Sequence, residues 1–472
     1  MNRTSLLSRS TRTALAALLS MVSAPALAQT IAITGGTVAV GDGSEPIEGG
    51  TVVVQNGRIV AAGRGVAVPA GAQVVDAAGK WVTPGLVAGF SRVGLSEVDA
   101  VNGSNDVSAN GSPFSAAIDV SPAINPLASG VAVSRAGGVT RAVVAPGAAT
   151  SIFAGQGAVI DLGSDRDPIT RARAFQFVEF GESGADESGG SRAATFVLFR
   201  NALREARDVG RFSGIAGGTG RRPVTAADQR DLPLEEVPDA NLLGSDVDRS
   251  DDVLLTRFDA AALVPVLQGR QLLLVHVERA SDILQVLGLV REFPNLRLVL
   301  VGAAEGWTVA DRIAAAGVPV IANALTDLPS SFEQLAATQS NIGRMRAAGV
   351  KVSIGMNGED ETRQVRLSKQ LAGNLVALTK VPGASGLSWG QALQAISSGP
   401  AEAMGLGGEI GSLRAGRRGD VVVWDGDPLE LNSAPVLVLI DGVQQPLDNH
   451  QTKLRDRYRN AVEGELPKAY ER

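Results

Sequence analysis

The sequence predicts an α/β protein: a distorted (β/α)8 barrel with a small β-sandwich domain built from both chain ends. Three observations carry this. Both ends are β-rich and punctuated by hairpin turns, and the long middle alternates short apolar runs with amphipathic stretches. The 472 residues also suffice for one large domain and a smaller one. An open doubly wound sheet would fit the middle alone, and the split β-rich ends decide for the barrel.

Residues 1–28 read as an export signal. Arg3, Arg9 and Arg12 give a basic start, and Ala26-Leu27-Ala28 gives a small-x-small cleavage site before Gln29. The apolar stretch between, Ala14 to Val22, is shorter than the roughly 20 residues a membrane-spanning helix needs. The expectation is a periplasmic or secreted protein with no membrane anchor after signal cleavage, because no Cys follows the cleavage site. Without any Cys there is no disulfide and no thiolate metal site, so stability must come from a buried core. The formal charge is −6, and loss of the leader's three arginines takes the mature chain to about −9. An acidic chain with no basic stripe argues against a nucleic-acid partner.

From 29 to 83 the chain reads as the first part of the sandwich. Ile31-Ala32-Ile33-Thr34 and Thr51-Val52-Val53-Val54 are β-rich, and Asn56-Gly57 is a hairpin signal before Arg58-Ile59-Val60. Val74-Val75-Asp76 and Trp81-Val82 continue the series. The pattern returns within 409–447, at Asp420 to Trp424 and Val436 to Ile440, with Asp441-Gly442 as the turn before Val443. Between them, 84–408 forms the barrel. Its strands are expected at Leu86–Ala88, Arg141–Val144, Ala158–Ile160, Leu272–Val277, Leu298–Val301, Val318–Ile321 and Val352–Ile354. Several are nearly continuous in Val, Leu and Ile, as strands buried on both faces should be. Helices are expected over Ser281–Phe293, where Ile283, Val286, Leu287 and Val290 recur at helical spacing, and over Thr308–Ala316 and Phe332–Ala347. The stretches 182–192 and 213–252, rich in Gly, Asp, Ser and Arg, are expected to be loops. The remainder, 448–472, is a charged tail with one helix over Leu454–Ala461.

Two segments carry a family resemblance. Gly79-Lys80-Trp81-Val82-Thr83-Pro84-Gly85-Leu86-Val87 stands before the alternating middle. Ile410-Gly411-Ser412-Leu413-Arg414-Ala415-Gly416-Arg417-Arg418-Gly419-Asp420-Val421-Val422-Val423-Trp424-Asp425 stands after it. In this order they resemble the amidohydrolase superfamily, in its imidazolonepropionase-like and dihydroorotase-like branch, and the likeness extends over nearly the whole mature chain. It implies a barrel with a composite β domain and a site at the C-terminal strand ends. It also implies hydrolysis of carbon–nitrogen bonds by water activated on Zn or another divalent metal, with an Asp after the last strand shuttling the proton.

The resemblance assigns positions too. The family's His-x-His pair aligns with Phe90 and Arg92; Phe has no lone pair and Arg is cationic and donor-only. A metal-bridging Lys, carboxylated in the family, aligns with Asp161 after Gly155-Gln156-Gly157-Ala158-Val159-Ile160. Val275-His276-Val277-Glu278-Arg279-Ala280-Ser281-Asp282-Ile283 matches closely and puts His276 on a ligand position. The next ligand His is replaced at Gly302, and the catalytic Asp by Met356 or Asn357, of which Asn357 is neutral and cannot act as a base. The chain holds two histidines, His276 and His450, and His450 lies in the polar tail. The usual binuclear centre is therefore expected to be degraded, with His276 as the surviving metal-ligand position. The candidate catalytic set is His276, Glu278 and Glu305. With Asp161 these carboxylates suit Ca, Mg or Mn; the favoured reading pairs Glu278 and Glu305 with Arg92 or Arg279 instead. No Gly-x-Ser-x-Gly elbow is present.

The expected function is that of an exported hydrolase acting on carbon–nitrogen bonds of small molecules, non-peptide or dipeptide-like amides, without the usual metal pair. The alternative is a non-catalytic relative that binds a small ligand or a paralogous amidohydrolase subunit; a homo-oligomer is the other partner expectation. His276→Ala is expected to leave folding largely intact.

Overall fold

The computed structural model describes residues 30–215, 253–324, 326–355, 358 and 362–459. Residues 1–29, most of 213–252, Met356, Asn357 and the end of the tail lie outside the described residues.

The N-terminal β-rich segment forms β1 (Thr30–Val38), β2 (Ile47–Gln55), β3 (Arg58–Gly63), β4 (Gln73–Asp76) and β5 (Trp81–Pro84). The middle supplies β6 (Leu86–Ser91), β7 (Val139–Val144), β8 (Phe153–Asp161), β9 (Ile169–Glu179), β10 (Leu272–Val277), β11 (Arg297–Gly302), β12 (Val320–Ala322) and β13 (Val352–Ile354). The C-terminal segment adds β14 (Val421–Trp424), β15 (Pro435–Ile440) and β16 (Val443–Gln444).

The two chain ends build one continuous sheet, β16-β15-β14-β5-β1-β2-β3, with β4 also on β1. The first half of β1 pairs with β4 and its end with β5, so the sheet bends there. It wraps its own core of Ile31, Ile33, Val52, Val54, Val82, Val421, Val423 and Leu439. This is the form taken by the sandwich expected from both termini. Strand alternation divides β14 between two cores: Val421 and Val423 face the sheet core, Val422 and Trp424 the barrel. Both hairpin signals hold. Asn56 and Gly57 have φ of 53° and 71°, Asp441 and Gly442 of 50° and 75°, the left-handed pair a tight two-residue turn requires.

The second sheet runs β13-β12-β11-β10-β9-β8-β7-β6 and is a nearly closed barrel. A Cβ on Gly89 of β6 would lie 2.6 Å from the Ile354 carbonyl oxygen of β13, so the two edge strands abut. All neighbouring pairs are parallel except those of β8, which is antiparallel to both β7 and β9. Phe90, Val143, Phe175, Phe177, Leu274, Val299, Val301 and Ile321 fill the interior.

Around the strands lie α1 (Ser129–Ala136), α2 (Glu182–Glu187), α3 (Arg192–Ile215), α4 (Arg257–Leu267), α5 (Ala280–Glu292), α6 (Ala310–Ala316), α7 (Asn341–Ala347), α8 (Ser368–Ala377), α9 (Trp389–Ala395) and α10 (Ser398–Ala403), with α11 (His450–Arg459) at the end. Local chemistry sets several of their starts. The Thr256 hydroxyl caps α4 by accepting from the Asp259 N–H, and Ser388 with Gln391 forms a reciprocal capping box on α9.

Four expectations need correction. β9 was not foreseen. The stretch 182–192 is not a loop: it forms α2 and enters α3, because its residues are held by side-chain contacts from distant segments. The helix expected over Phe332–Ala347 is confined to Asn341–Ala347, since Glu333 turns inward and Ala336 is tied to Glu305. The tail helix starts at His450, four residues earlier than expected, where Thr452 and Asn449 exchange hydrogen bonds. No described helix is long and apolar enough to cross a membrane.

Candidate active site

At the C-terminal ends of the parallel strands, pairing brings His276 of β10 directly beside Glu179, the last residue of β9. Glu278 lies two residues after His276 and so shares its face. The three side chains meet. His276 Nδ1 is 2.6 Å from Glu179 Oε2, and Nε2 is 3.1 Å from Glu278 Oε1. His276 is 21% exposed and its two partners less so.

The end of β11 shapes the other wall. Gly302 and Ala303 both have positive φ, 87° and 55°, which swings the chain so that the Ala304 N–H donates to Glu278 Oε2 at 2.7 Å. A Cβ on Gly302 would collide with the Glu278 carboxylate, so glycine is needed for space as well as for backbone conformation.

Electrostatics follow from this packing. Burial alone would push the His276 pKa down, but the charges and hydrogen bonds of Glu179 and Glu278 raise it well above the ordinary 6.5. Burial would raise Glu179, yet His276, with help from Arg92, holds it below its usual value. The protonated form of His276 is thus favoured between Glu179 and Glu278.

Glu305 lies at the same end but is committed to the backbone. Its Oε2 accepts from the Ala280 N–H that opens α5, and its Oε1 from the Ala336 N–H, both at 3.0 Å. Arg279 turns to Asp282 at 2.7 Å, so the pairing expected with Glu278 or Glu305 is replaced by a contact within its own turn. Arg92 stands just past β6, its N–H on the Thr362 carbonyl, with its charge felt by Glu179. Phe90 points into the barrel and packs on Phe177 with ring centroids 5.1 Å apart.

Asp161 is not at this end. Because β8 runs antiparallel, its last residue reaches the opposite face, where Asp161 lies 3.5 Å from Arg141 and accepts from the Gly163 N–H. Asn357 lies outside the described residues.

Two residues at the mouth were missed. Glu179 ends the β-prone run Phe175-Gln176-Phe177-Val178, and reading that run as a strand would have found it. Glu333 is buried in the segment after β12, accepts from the Glu182 N–H at 2.7 Å, and is raised in pKa by burial while feeling both His276 and Glu278. No local pattern marks it. Among the described residues no three His, Asp or Glu side chains form a metal-holding group.

Known proteins share this fold. A family model described as "Amidohydrolase family" matches residues 305–445, from Glu305 through β16. The amidohydrolase tasK of Hapsidospora irregularis is 26% identical over 399 residues, 80% of this chain. The crystal structure of an amidohydrolase from Thermotoga maritima MSB8 superposes with a TM-score of 0.71 at 24% identity, over 88% of this chain and 99% of that one.

Residues 305–445 thus match the amidohydrolase family, and the chain has the fold of the Thermotoga maritima amidohydrolase.

Imidazolonepropionase of Acidiphilium cryptum (strain JF-5) is 33% identical over 107 residues, 22% of this chain. The chain spans only 38% and 24% of the lengths of these two curated relatives. Within this barrel fold, His276 stands at a strand end on the C-terminal face, where active sites of such barrels are built.

Proposed function

We propose that this protein is an exported hydrolase of carbon–nitrogen bonds in small molecules, non-peptide or dipeptide-like amides, working from an ion-paired histidine instead of a metal pair. The observation that carries this is the Glu179–His276–Glu278 arrangement at the strand ends. Both ring nitrogens of His276 are engaged by Glu179 and Glu278, and Phe90, Arg92 and Gly302 supply no lone pair for a metal. The donor set on β6, β10 and β11 therefore does not fit two cations.

The same arrangement suits proton transfer. A carboxylate at Glu179 or Glu278 takes a proton from water as its oxygen attacks the amide carbon. His276 gives its own proton to the departing nitrogen as the C–N bond breaks, and the carboxylate then returns the proton to the imidazole. Arg92 and Glu333 border this space and would orient a polar substrate.

The test is elemental analysis of the purified chain with assays on amide, lactam and dipeptide panels, with and without a chelator. Metal-free protein with chelator-insensitive turnover, falling at least a hundredfold in His276→Gln, is the expected result. Stoichiometric Zn, Mn or Fe with chelator-sensitive turnover would overturn it. A second reading, a non-catalytic relative binding a small ligand or a paralogous subunit, is favoured by one observation. Carboxylate oxygens of Glu278 and Glu305 are already taken by backbone N–H groups. Saturable binding without turnover of any amide would decide for it. Export rests on the leader's charge and apolar pattern, and fractionation of cells carrying a C-terminally tagged chain tests it.

A further inference from the structure

On the barrel face opposite His276, a cavity of about 360 Å³ opens among the N-terminal ends of β12 and β13 and helices α7, α9 and α10. A second, of about 270 Å³, adjoins it across Gly317, Pro319, Glu402 and Ala403. Arg346, Lys351, Gln391, Gln394 and Glu402 give the first cavity its chemistry.

Arg346 is the unusual member. It is half-buried, and its guanidinium donates to the Val352 carbonyl at 3.2 Å and to Gln394 Oε1 at 2.7 Å, both neutral acceptors. Among the described residues no carboxylate forms an ion pair with it. Glu402 acts on it from longer range, and burial pulls its pKa down. A cation withdrawn from water without a paired anion is destabilised, and an anionic ligand would relieve that. The neighbouring groups suit the same ligand. The Gln394 oxygen is taken by Arg346 and the Gln391 oxygen by the Ser388 N–H, so each amide presents its NH2 donors. Lys351 stands exposed at the rim. Glu402, the one acid in the lining, sits on the wall shared by the two cavities and disfavours a second anionic group.

We propose that this cavity binds a small zwitterion, an amino acid or a relative with one carboxylate and one amine, its carboxylate on Arg346 and Lys351 and its ammonium toward Glu402. The site is separate from the barrel mouth, so the proposal stands whether or not the mouth hydrolyses amides.

Thermal unfolding of the full chain, followed by calorimetric titration, tests it with individual L-amino acids as probes. The controls are the matching amino-acid amides, the N-acetyl amino acids, succinate and inorganic phosphate. One or more amino acids should raise Tm saturably, while their amides and N-acetyl forms bind at least tenfold more weakly. Arg346→Gln should weaken binding by tenfold or more. Lys351→Gln, at an exposed position that leaves folding intact, should weaken it several-fold. The absence of a saturable response to every amino acid would overturn the proposal. So would binding that is unchanged in both variants, or equal binding of the amide and N-acetyl forms.

Discussion

Between two carboxylates, His276 stabilises the fold only while it is charged, and that gives its contribution a definite pH window. Its pKa is raised on folding, so its stabilisation is fully present below the ordinary 6.5 and is lost as pH rises through the higher folded value. Glu179 is shifted down, so its stabilisation is present above the ordinary 4.5 and is lost as pH falls through the lower folded value. The pair should therefore hold fully from 4.5 to 6.5 and weaken on the alkaline side only above the folded pKa of His276. With two imidazoles in the chain, the Hε1 proton resonance of His276 can be followed directly. It should not titrate near pH 6.5, and Glu179→Gln should bring its midpoint down. The geometry also revises the expectation for His276→Ala. Removing the cation leaves Glu179 and Glu278 facing each other, which should cost about 3 kcal/mol or more in urea unfolding at pH 6, instead of leaving folding intact.

At the level of elements, the mouth is held by contacts between segments far apart in sequence. Arg192, the first residue of α3, reaches Glu182 of α2 at 3.2 Å, Asp282 of α5 at 3.3 Å and Glu333 at 3.6 Å. Arg192→Ala should leave global stability within about 1–2 kcal/mol of the parent, because the site is partly exposed. It should speed amide hydrogen exchange selectively in 181–192 and 330–337. Exchange unchanged in both segments would show that Arg192 does not hold them together. Gly302→Ala forces a Cβ into the Glu278 carboxylate at a left-handed position. A cost of about 1–3 kcal/mol is expected, with a fall in the His276 pKa as Glu278 is displaced.

Across the whole molecule, one buried side chain joins the two sheets. Arg141 of β7 is fully buried and lies 2.8 Å from Asp420 and 2.9 Å from Asp441, at the start of β14 and the end of β15, as well as 3.5 Å from Asp161. Arg141→Met would strand these carboxylates at the junction between barrel and terminal sheet. It should lower stability by about 3–5 kcal/mol, read as the urea midpoint, with the terminal sheet loosening first. Arg141→Lys should recover only part of this, since an ammonium cannot reproduce the forked contacts to Asp420.

Strands with strong local signals were legible in the sequence: Leu272–Val277 and Leu298–Val301 by apolar continuity, the Asn56-Gly57 and Asp441-Gly442 turns by their need for positive φ. Such signals depend on residues next to one another, so no partner is required to read them. His276 was legible for the same reason, because the Val275–Ile283 segment resembles a family motif. Asp161 and Glu179 show where local reading stops. Both are acidic residues at the ends of strands, and nothing near Asp161 says that β8 runs against its neighbours. Strand direction and register are set by pairing across the sheet, and a reversed strand sends its last side chain to the opposite face. The sequence by itself determined the barrel, the composite sheet and the position of the pocket histidine. Only the tertiary structure decided that Glu179 meets that histidine, because their meeting depends on how β9 and β10 pair and not on any neighbouring residue.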